Sequence, residues 1–193
     1  MKIKQNINNF FRQIRYTTYI FYLNSKIKKK INFSYSNKST LKLLFNKYGS
    51  DKGNLNNKHN YSIIYEALFG KLKNNKLNLM EVGLGSIDEN VEFHMKFMGK
   101  DYRPLASLYA WRDYFKNANI YGADIDKKIL KNTKRIKTFH VDMLNSNSIK
   151  KMWSQLNKKI DIFIDDGFHS FEANTNLFKS SFKFLKKKRI LYY

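Results

Sequence analysis

Five short apolar segments, separated by helical stretches, constrain the fold of this chain more than any other feature of its sequence. The strand-like segments comprise residues 77–82, 119–124, 135–142, 161–165 and 189–193. The helical stretches between them comprise residues 105–115, 126–132, 146–156 and 171–185. Strands that alternate with helices pair in parallel, because each crossover has to return to the same end of the sheet. The sequence therefore predicts an α/β fold with a doubly wound, mainly parallel sheet.

Residues 1–38 differ from the rest of the chain and are predicted to form a basic helical extension with a polar linker. Eleven Lys or Arg precede Asp51, whereas no acidic residue does. Apolar side chains from Ile7 to Phe21 recur at three- and four-residue spacing, which is typical of an amphipathic helix. Such a helix contacts a membrane surface or a partner, or it packs on its own domain, which we favour. The apolar run 19–23 is far shorter than the ~20 residues that span a bilayer.

The formal net charge of +22 raises the question of a nucleic-acid partner. Lysine and asparagine are spread along the whole chain, however, including turns such as 71–76, which is typical of a compositional bias. No motif that combines basic and aromatic residues is visible, so we expect no specific nucleic-acid partner. The absence of cysteine excludes disulfides and thiolate metal sites and fits a reducing compartment. We therefore expect a cytoplasmic protein.

Acidic residues and glycines follow the predicted strands, where a parallel sheet binds its ligands. After the first strand, Gly83 and Gly85 suit a close approach of the backbone to a ligand. The third glycine of the dinucleotide fingerprint is missing and Glu81 precedes the glycines, so a cationic ligand fits better than a pyrophosphate. Asp124 ends the second strand, where a carboxylate accepts ribose hydroxyls, and Asp142 ends the third, within reach of an adenine amino group. Capping of the following helix is the alternative for both aspartates.

The fourth strand ends in the sequence DDGFH (165–169), which carries two adjacent carboxylates and an imidazole. Adjacent carboxylates repel each other unless a cation or hydrogen bonds offset them, and their hard oxygens suit Mg²⁺. His169 supplies an imidazole that can take a proton from a substrate hydroxyl. The alternative is that Asp166 caps the next helix and that His169 is a surface residue.

Seven segments of the chain together resemble class I S-adenosylmethionine (SAM) dependent methyltransferases. Among these, the resemblance is closest to the metal-dependent sugar O-methyltransferases of macrolide biosynthesis, of the mycinamicin type, and it extends over residues 43–186. The segments are YGSDKG (48–53), HNY (59–61), YE (65–66), MEVGLG (80–85), SLYAWRDYF (107–115), IYGADID (120–126) and IDDGFH (164–169).

The resemblance implies a Rossmann-like doubly wound domain over residues 39–193 that binds SAM. The enzyme would transfer the methyl group to a hydroxyl of a sugar or a glycosylated small molecule, with Mg²⁺ as a second cofactor. The sequence leaves open whether the chain assembles into a homo-oligomer. The resemblance implies that Glu81, Gly83 and Gly85 line the methionine part of SAM, that Asp124 holds its ribose, and that Asp142 lies near adenine. It further implies roles for Tyr48, Asp51 and Lys52 in closing the cofactor pocket, for Asp166 as a metal ligand, and for His169 as the general base.

The chain departs from the family pattern after its fourth helix. The family continues with a glycine-rich turn and a fifth strand that ends in an acidic pair and completes the metal site. Here residues 186–189 read Lys-Lys-Lys-Arg, and the chain ends at Tyr193. We therefore expect a C-terminally truncated domain without the last strands, and a catalytically inactive remnant that at most binds SAM or a partner is the alternative function. Residues 86–104 are expected to form a lid or substrate loop.

Overall fold

The computed structural model describes residues 39–54, 59–100 and 102–192, the last six of them as backbone. The predicted basic extension, residues 1–38, lies outside the described residues. The described residues belong to one compact unit that spans residues 37–193. The helices in this part of the chain are too short or too polar to cross a membrane.

Five strands and five α-helices follow one another along the described chain. The strands are β1 (Asn78–Val82), β2 (Asn119–Asp124), β3 (Ile136–His140), β4 (Ile160–Asp165) and β5 (Leu185–Tyr192). The helices are α1 (Thr40–Tyr48), α2 (Tyr61–Phe69), α3 (Ala106–Tyr114), α4 (Ser146–Leu156) and α5 (Phe171–Ser181). Short 3-10 turns lie at Asp51–Gly53, Gly70–Leu72, Lys96–Met98, Lys127–Ile129 and Phe182–Phe184.

The strands form one parallel sheet in the order β3-β2-β1-β4-β5. The chain moves outward from β1 to β3 and then returns to the other side of β1 with β4, so the strand order reverses between β1 and β4. Val82, the last residue of β1, is in register with Asp165, the last residue of β4. The predicted doubly wound, mainly parallel α/β fold is confirmed, and the reversal places the carboxyl ends of β1 and β4 side by side.

Several boundaries differ from the sequence-based prediction. The helix predicted over 126–132 is a 3-10 turn at Lys127–Ile129, because the backbone is extended at Leu130, and the helix predicted over 171–185 ends at Ser181. β3 ends at His140, two residues before Asp142, because Val141 makes the last backbone hydrogen bond to β2, from its N to Asp124 O at 2.9 Å. β5 begins at Leu185, so the lysine-rich residues 186–189 belong to a strand and not to a turn. Lysine has a weak strand propensity, and pairing with β4 overrides it, with a register shift between Ile160 and Ile162.

The two faces of the sheet carry separate hydrophobic clusters because side chains alternate along each strand. On one face, Leu79 packs with α1, α2 and α3 around the fully buried Trp111. On the other face, Met80 and Val82 pack with α4 and α5 around Trp153, whose indole N–H donates to Ser181 Oγ at 2.9 Å. Glu81 follows the parity of Leu79, so its side chain enters the Trp111 face and is completely buried there.

Candidate functional site

A cavity of about 920 Å³ opens at the carboxyl ends of the central strands, where the strand order reverses. Residues that follow β1, β2, β3 and β4 line it, together with the 3-10 turn at Asp51–Gly53 and parts of 90–97. Eight of the ten predicted site residues are among those that line the cavity, namely Asp51, Lys52, Gly83, Gly85, Asp124, Asp142, Asp166 and His169. Tyr48 and Glu81 are not.

The turn after β1 is pressed against the backbone that follows β4. Gly83 has φ +90°, and a Cβ there would overlap the carbonyl oxygen of Asp166 and stand 2.8 Å from Gly167 Cα. Asp166 N donates to Val82 O at 2.9 Å, which joins the two strand ends directly. Side chains larger than hydrogen are thus excluded at Gly83 both by its dihedral angle and by its neighbours.

Asp124 turns its carboxylate towards this glycine turn. Its Oδ2 accepts from Leu84 N at 2.6 Å, and its Oδ1 accepts from Asp126 N at 2.9 Å. Burial raises the pKa of Asp124 above its usual range, although these backbone amides oppose the effect. The cap of the following 3-10 turn is Asp126, which accepts from Lys128 N. Each oxygen of Asp124 retains accepting capacity for a ligand hydroxyl.

Asp142 lies at the edge of the cavity beyond the end of β3. Its Oδ1 accepts from Leu144 N at 2.9 Å, and its own N donates to Ser148 Oγ at 2.9 Å. The cap of α4 is Asn145, whose side chain accepts from two backbone amides of the first turn. Asp142 therefore shapes the loop that leads into α4 and keeps its second carboxylate oxygen available.

Lys52 is a buried ammonium between two carboxylates. Its Nζ lies 2.5 Å from Asp166 Oδ2 and 3.2 Å from Glu81 Oε1, and the residue is 5% exposed. Burial by itself lowers the pKa of Lys52, but Asp166, Glu81 and Asp51 outweigh it and raise that pKa well above its ordinary value. Lys52 is therefore charged in the folded protein.

Glu81 lies beneath the cavity and acts on the site through its contacts with Lys52 and Trp111. Its Oε2 accepts from Trp111 Nε1 at 2.9 Å, while its Oε1 faces Lys52. Burial raises the pKa of Glu81, and the Lys52 ammonium opposes that shift. The carboxylate thus ties the Lys52 charge to the hydrophobic cluster around Trp111.

Asp166 and His169 stand at the opening of the cavity. Asp166 Oδ1 lies 3.9 Å from His169 Nε2, and the His169 side chain is 59% exposed. His169 has φ +49°, and the cap of α5 is Ser170, whose Oγ accepts from Ala173 N at 3.2 Å, so Asp166 is not a helix cap. No group of three or more His, Asp or Glu side chains is arranged for a metal ion in the part of the chain that the structure covers.

Tyr48, the last residue of α1, contacts α3 outside the cavity. Its hydroxyl donates to Asp113 Oδ2, accepts from Arg112 Nη2 at 3.3 Å, and its ring lies beside Tyr109. This contact connects the end of α1 to α3 and does not reach the cavity.

The loop 86–104 covers the glycine turn and contributes residues that sequence reasoning did not identify. Met95 N donates to Ser86 O at 2.6 Å, and Leu105 N donates to Leu84 O at 3.0 Å. The Phe93 ring stands edge-on to Phe168 with centroids 5.2 Å apart. Additional lining residues from this loop include His94, Phe97 and Tyr102. The density of aromatic residues in a loop was the one signal in the sequence that could have found them.

The cavity is acidic although the chain is basic. The lining residues described by the structure include five Asp or Glu side chains and one lysine, Lys52, whereas the whole chain has a formal net charge of +22. The five carboxylates are those of Asp51, Glu92, Asp124, Asp142 and Asp166. A concave surface of one sign of charge attracts ligands of the opposite sign, so the cavity favours cations.

Sequence comparison relates the chain to sugar-modifying enzymes. No family model matches it. It is 29% identical over 126 residues to the 8-demethyl-8-alpha-L-rhamnosyl tetracenomycin-C 2'-O-methyltransferase of Streptomyces olivaceus, a match over 64% of this chain and 29% of that protein. It is 27% identical over 124 residues to the demethylmacrocin O-methyltransferase of Streptomyces fradiae, over 64% of this chain and 28% of that protein. The chain spans about three tenths of the length of these curated relatives.

Comparison with solved structures agrees with the sequence comparison. The MycE methyltransferase from the mycinamycin biosynthetic pathway, solved with Mg and SAH, superimposes with a TM-score of 0.64 at 23% identity, over 81% of this chain and 37% of that one. A second MycE structure, with Mg, SAH and mycinamycin VI, gives 0.63 at 23% identity, over 81% and 39%. At this identity the likeness concerns the fold. Together with the sequence matches it confirms the resemblance predicted from the motifs.

Proposed function

Because the chain resembles the macrolide sugar O-methyltransferases in sequence and fold, we propose that it carries the SAM-binding part of an enzyme of this kind. The reaction is the transfer of a methyl group from SAM to a hydroxyl of a sugar or a glycosylated small molecule. The substrate class and the activity are proposals, since the chain spans about three tenths of its relatives' length.

The observation that carries this proposal is the acidic cavity over a glycine turn at the reversal of strand order. SAM carries a sulfonium and an ammonium, which carboxylates attract. A dinucleotide carries a pyrophosphate, which the same carboxylates repel. The close approach of the backbone at Gly83 and Gly85 suits either ligand, so the sign of the charge decides between them.

Several of the predicted site residues are assigned to parts of the cofactor, and two act from outside the cavity. The turn with Gly83 and Gly85 borders the methionine part, and Asp124 accepts the ribose hydroxyls with the lone pairs that Leu84 N and Asp126 N leave open. Asp142 accepts from the adenine amino group. Glu81 acts from below by holding Lys52, and Tyr48 acts from outside by holding α1 against α3.

The chemistry at the opening falls to His169. Bound SAM supplies an electrophilic methyl group on its sulfonium. His169 removes the proton from the acceptor hydroxyl, and Asp166, 3.9 Å from the imidazole, stabilises the imidazolium that forms. The exposed position of His169 gives it access to an acceptor that enters from solvent.

For Mg²⁺, the described residues provide one part of a site. Asp166 Oδ2 is held by Lys52, while Oδ1 lies on the side of His169 and suits a metal ion. No group of three His, Asp or Glu side chains suited to a metal ion is present within residues 39–54, 59–100 and 102–186. Mg²⁺ stays a prediction on the basis of the resemblance, and we assign it no step.

The remaining assignments follow from the same proposal. SAM is a cytoplasmic metabolite, so we propose the cytoplasm as the compartment. Contact of the extension 1–38 with a membrane surface or a partner, and assembly into a homo-oligomer, remain predictions.

Calorimetric titration with S-adenosylhomocysteine (SAH), SAM and NAD⁺ tests the proposal. We expect 1:1 binding of SAH and SAM and no binding of NAD⁺, because the cavity favours cations and the one lysine among its described lining residues, Lys52, is already paired with Asp166 and Glu81. Binding of NAD⁺ in preference to SAH would contradict the proposed cofactor.

Asp124→Asn is expected to weaken SAH binding at least tenfold. The amide puts an N–H donor where the carboxylate accepts, so one ribose hydroxyl loses its partner, which corresponds to about 1.4 kcal/mol or more. Asp126→Asn is the matched control, since Asp126 is equally buried and hydrogen-bonded but does not line the cavity. Calorimetric titration with SAH, at a temperature below the melting temperature of both variants, compares their affinities. Equal affinities for the two variants would remove Asp124 from the site.

A remnant that binds SAM without turnover is the second candidate. The incomplete metal ligand set in the described part of the chain favours it. Transfer of labelled methyl from SAM to a rhamnosylated acceptor, with and without Mg²⁺, separates the two candidates. Turnover that His169→Ala abolishes supports the enzyme, and SAH binding without turnover supports the remnant.

A further inference from the structure

Tyr102 places a phenol hydroxyl directly over the glycine turn. A Cβ added at Gly85 would overlap that hydroxyl and would stand 2.9 Å from the Tyr102 Cζ. Gly85 has φ +76°, so both its dihedral angle and the Tyr102 ring leave room for hydrogen alone. The position of the hydroxyl is thus fixed against the backbone that borders the cofactor.

The loop that carries Tyr102 is anchored on both sides of this turn. Leu105 N donates to Leu84 O at 3.0 Å, and Met95 N donates to Ser86 O at 2.6 Å. Tyr102 N donates to Gly99 O at 3.2 Å, which closes the end of the loop. The phenol is therefore held in place by its backbone and not by a bond of its own hydroxyl.

The Tyr102 hydroxyl has no hydrogen-bond partner among the described residues, and Tyr102 lines the cavity. Burial raises the pKa of Tyr102, which the Lys52 ammonium opposes only in part, so the phenol is neutral and keeps its proton. A neutral phenol in a cavity donates one hydrogen bond to an acceptor on the ligand. Tyr102 is half-buried in the cavity wall, so a ligand that displaces water from its hydroxyl has to supply an acceptor in return.

The neighbours of Tyr102 identify the part of the ligand. The Tyr102 hydroxyl lies against Gly85, in the turn assigned to the methionine part, whereas Asp124 and Asp142 follow the neighbouring strands β2 and β3. Since the latter two are assigned to ribose and adenine, Tyr102 belongs to the amino-acid end. The acceptor at that end is the α-carboxylate, because the ammonium is a donor.

We infer that Tyr102 is a cofactor-binding residue whose hydroxyl donates a hydrogen bond to the α-carboxylate of SAM. This inference rests on the proposed function. It adds a residue from the loop 86–104 to the cofactor site, so the loop closes over the cofactor by a polar contact as well as by the apolar contacts of Phe93 and Met95.

Tyr102→Phe tests the inference, because it removes the hydroxyl and keeps the ring over Gly85. We expect the Kd for SAH to rise about tenfold, the loss of one hydrogen bond to a charged group. The Kd for decarboxylated SAH, which keeps the amine and lacks the carboxylate, should be the same for wild type and variant. Tyr121→Phe is the control, since it removes the same hydroxyl from a tyrosine that does not line the cavity. Thermal melting of the ligand-free proteins verifies that all three fold alike.

The outcomes separate this inference from the proposed function. If wild type binds SAH and Tyr102→Phe binds it equally well, the inference is wrong and the proposed function stands. If the variant loses affinity for SAH and its decarboxylated analogue alike, the contact is not with the carboxylate and the inference is again wrong. If wild type binds neither ligand, the proposed function itself fails.

Discussion

Lys52→Met is expected to lower the free energy of unfolding by about 3–5 kcal/mol and to abolish SAH binding. The substitution keeps the length of the side chain and removes a charge that stands 2.5 Å from Asp166 and 3.2 Å from Glu81. Glu81 is completely buried, so its carboxylate would be left without a counter-ion in an apolar setting. Asp166 would also lose the contact that orients it.

Urea denaturation and SAH titration measure the two effects. Lys128→Met is the control, because Lys128 makes an ion pair with Asp88 at 2.6 Å but is 79% exposed. Water screens such a pair, so we expect no measurable change in stability or affinity. Lys52→Arg keeps the charge and should recover part of the stability. If Lys52→Met and Lys128→Met unfolded at the same urea concentration, the buried ion pairs would not support the fold.

Gly83→Ala is expected to destabilise the chain by about 2–6 kcal/mol, from a strained dihedral angle of about 1–3 kcal/mol and from overpacking of about 1–3 kcal/mol. The new methyl group would overlap the carbonyl oxygen of Asp166. The backbone cannot retreat without breaking the hydrogen bond from Asp166 N to Val82 O. We also expect SAH binding to be lost, because the ends of β1 and β4 would separate at the turn that contains Gly83.

Gly99→Ala separates the effect of backbone strain on stability from the effect of the overlap between residue 83 and Asp166. Gly99 has φ +97°, and a Cβ there meets no atom within 4 Å, so this variant has the strain without the overlap. Its urea midpoint should lie between those of wild type and Gly83→Ala. Similar midpoints for the two variants would show that the strand ends are not in close contact.

The fold was predictable from the sequence to the extent that hydrophobic periodicity determines it. The bounds of β2 and α4 agree with the prediction because their apolar spacing is clear and caps or turns delimit them. The start of β5 was wrong because backbone pairing with β4 decides the conformation of the lysines, and pairing between distant segments is not visible in local propensity.

The site was predictable where residues follow strand ends, and less so elsewhere. Asp124 and Asp166 were located because topology alone brings the ends of parallel strands together. The pairing of Lys52 with Asp166, 114 residues apart, depends on how α1 packs on the sheet. Glu81 illustrates a missed signal, since strand alternation from Leu79 places it on the Trp111 face rather than in the cavity. Tyr102 lies in a loop without periodicity, so only the density of aromatic residues there marked it.

The direct contact between Gly83 and the backbone of Asp166 has a consequence for how such a site diversifies. Two strand tips that touch through their main chains move as one rigid body, and a change of residue in either displaces both. We therefore expect new ligand preferences to arise in the covering segment 86–104, where Phe93 and Phe97 line the cavity and are 61% and 63% exposed. The molecule thus separates a part that evolution must conserve in shape from a part in which it can explore.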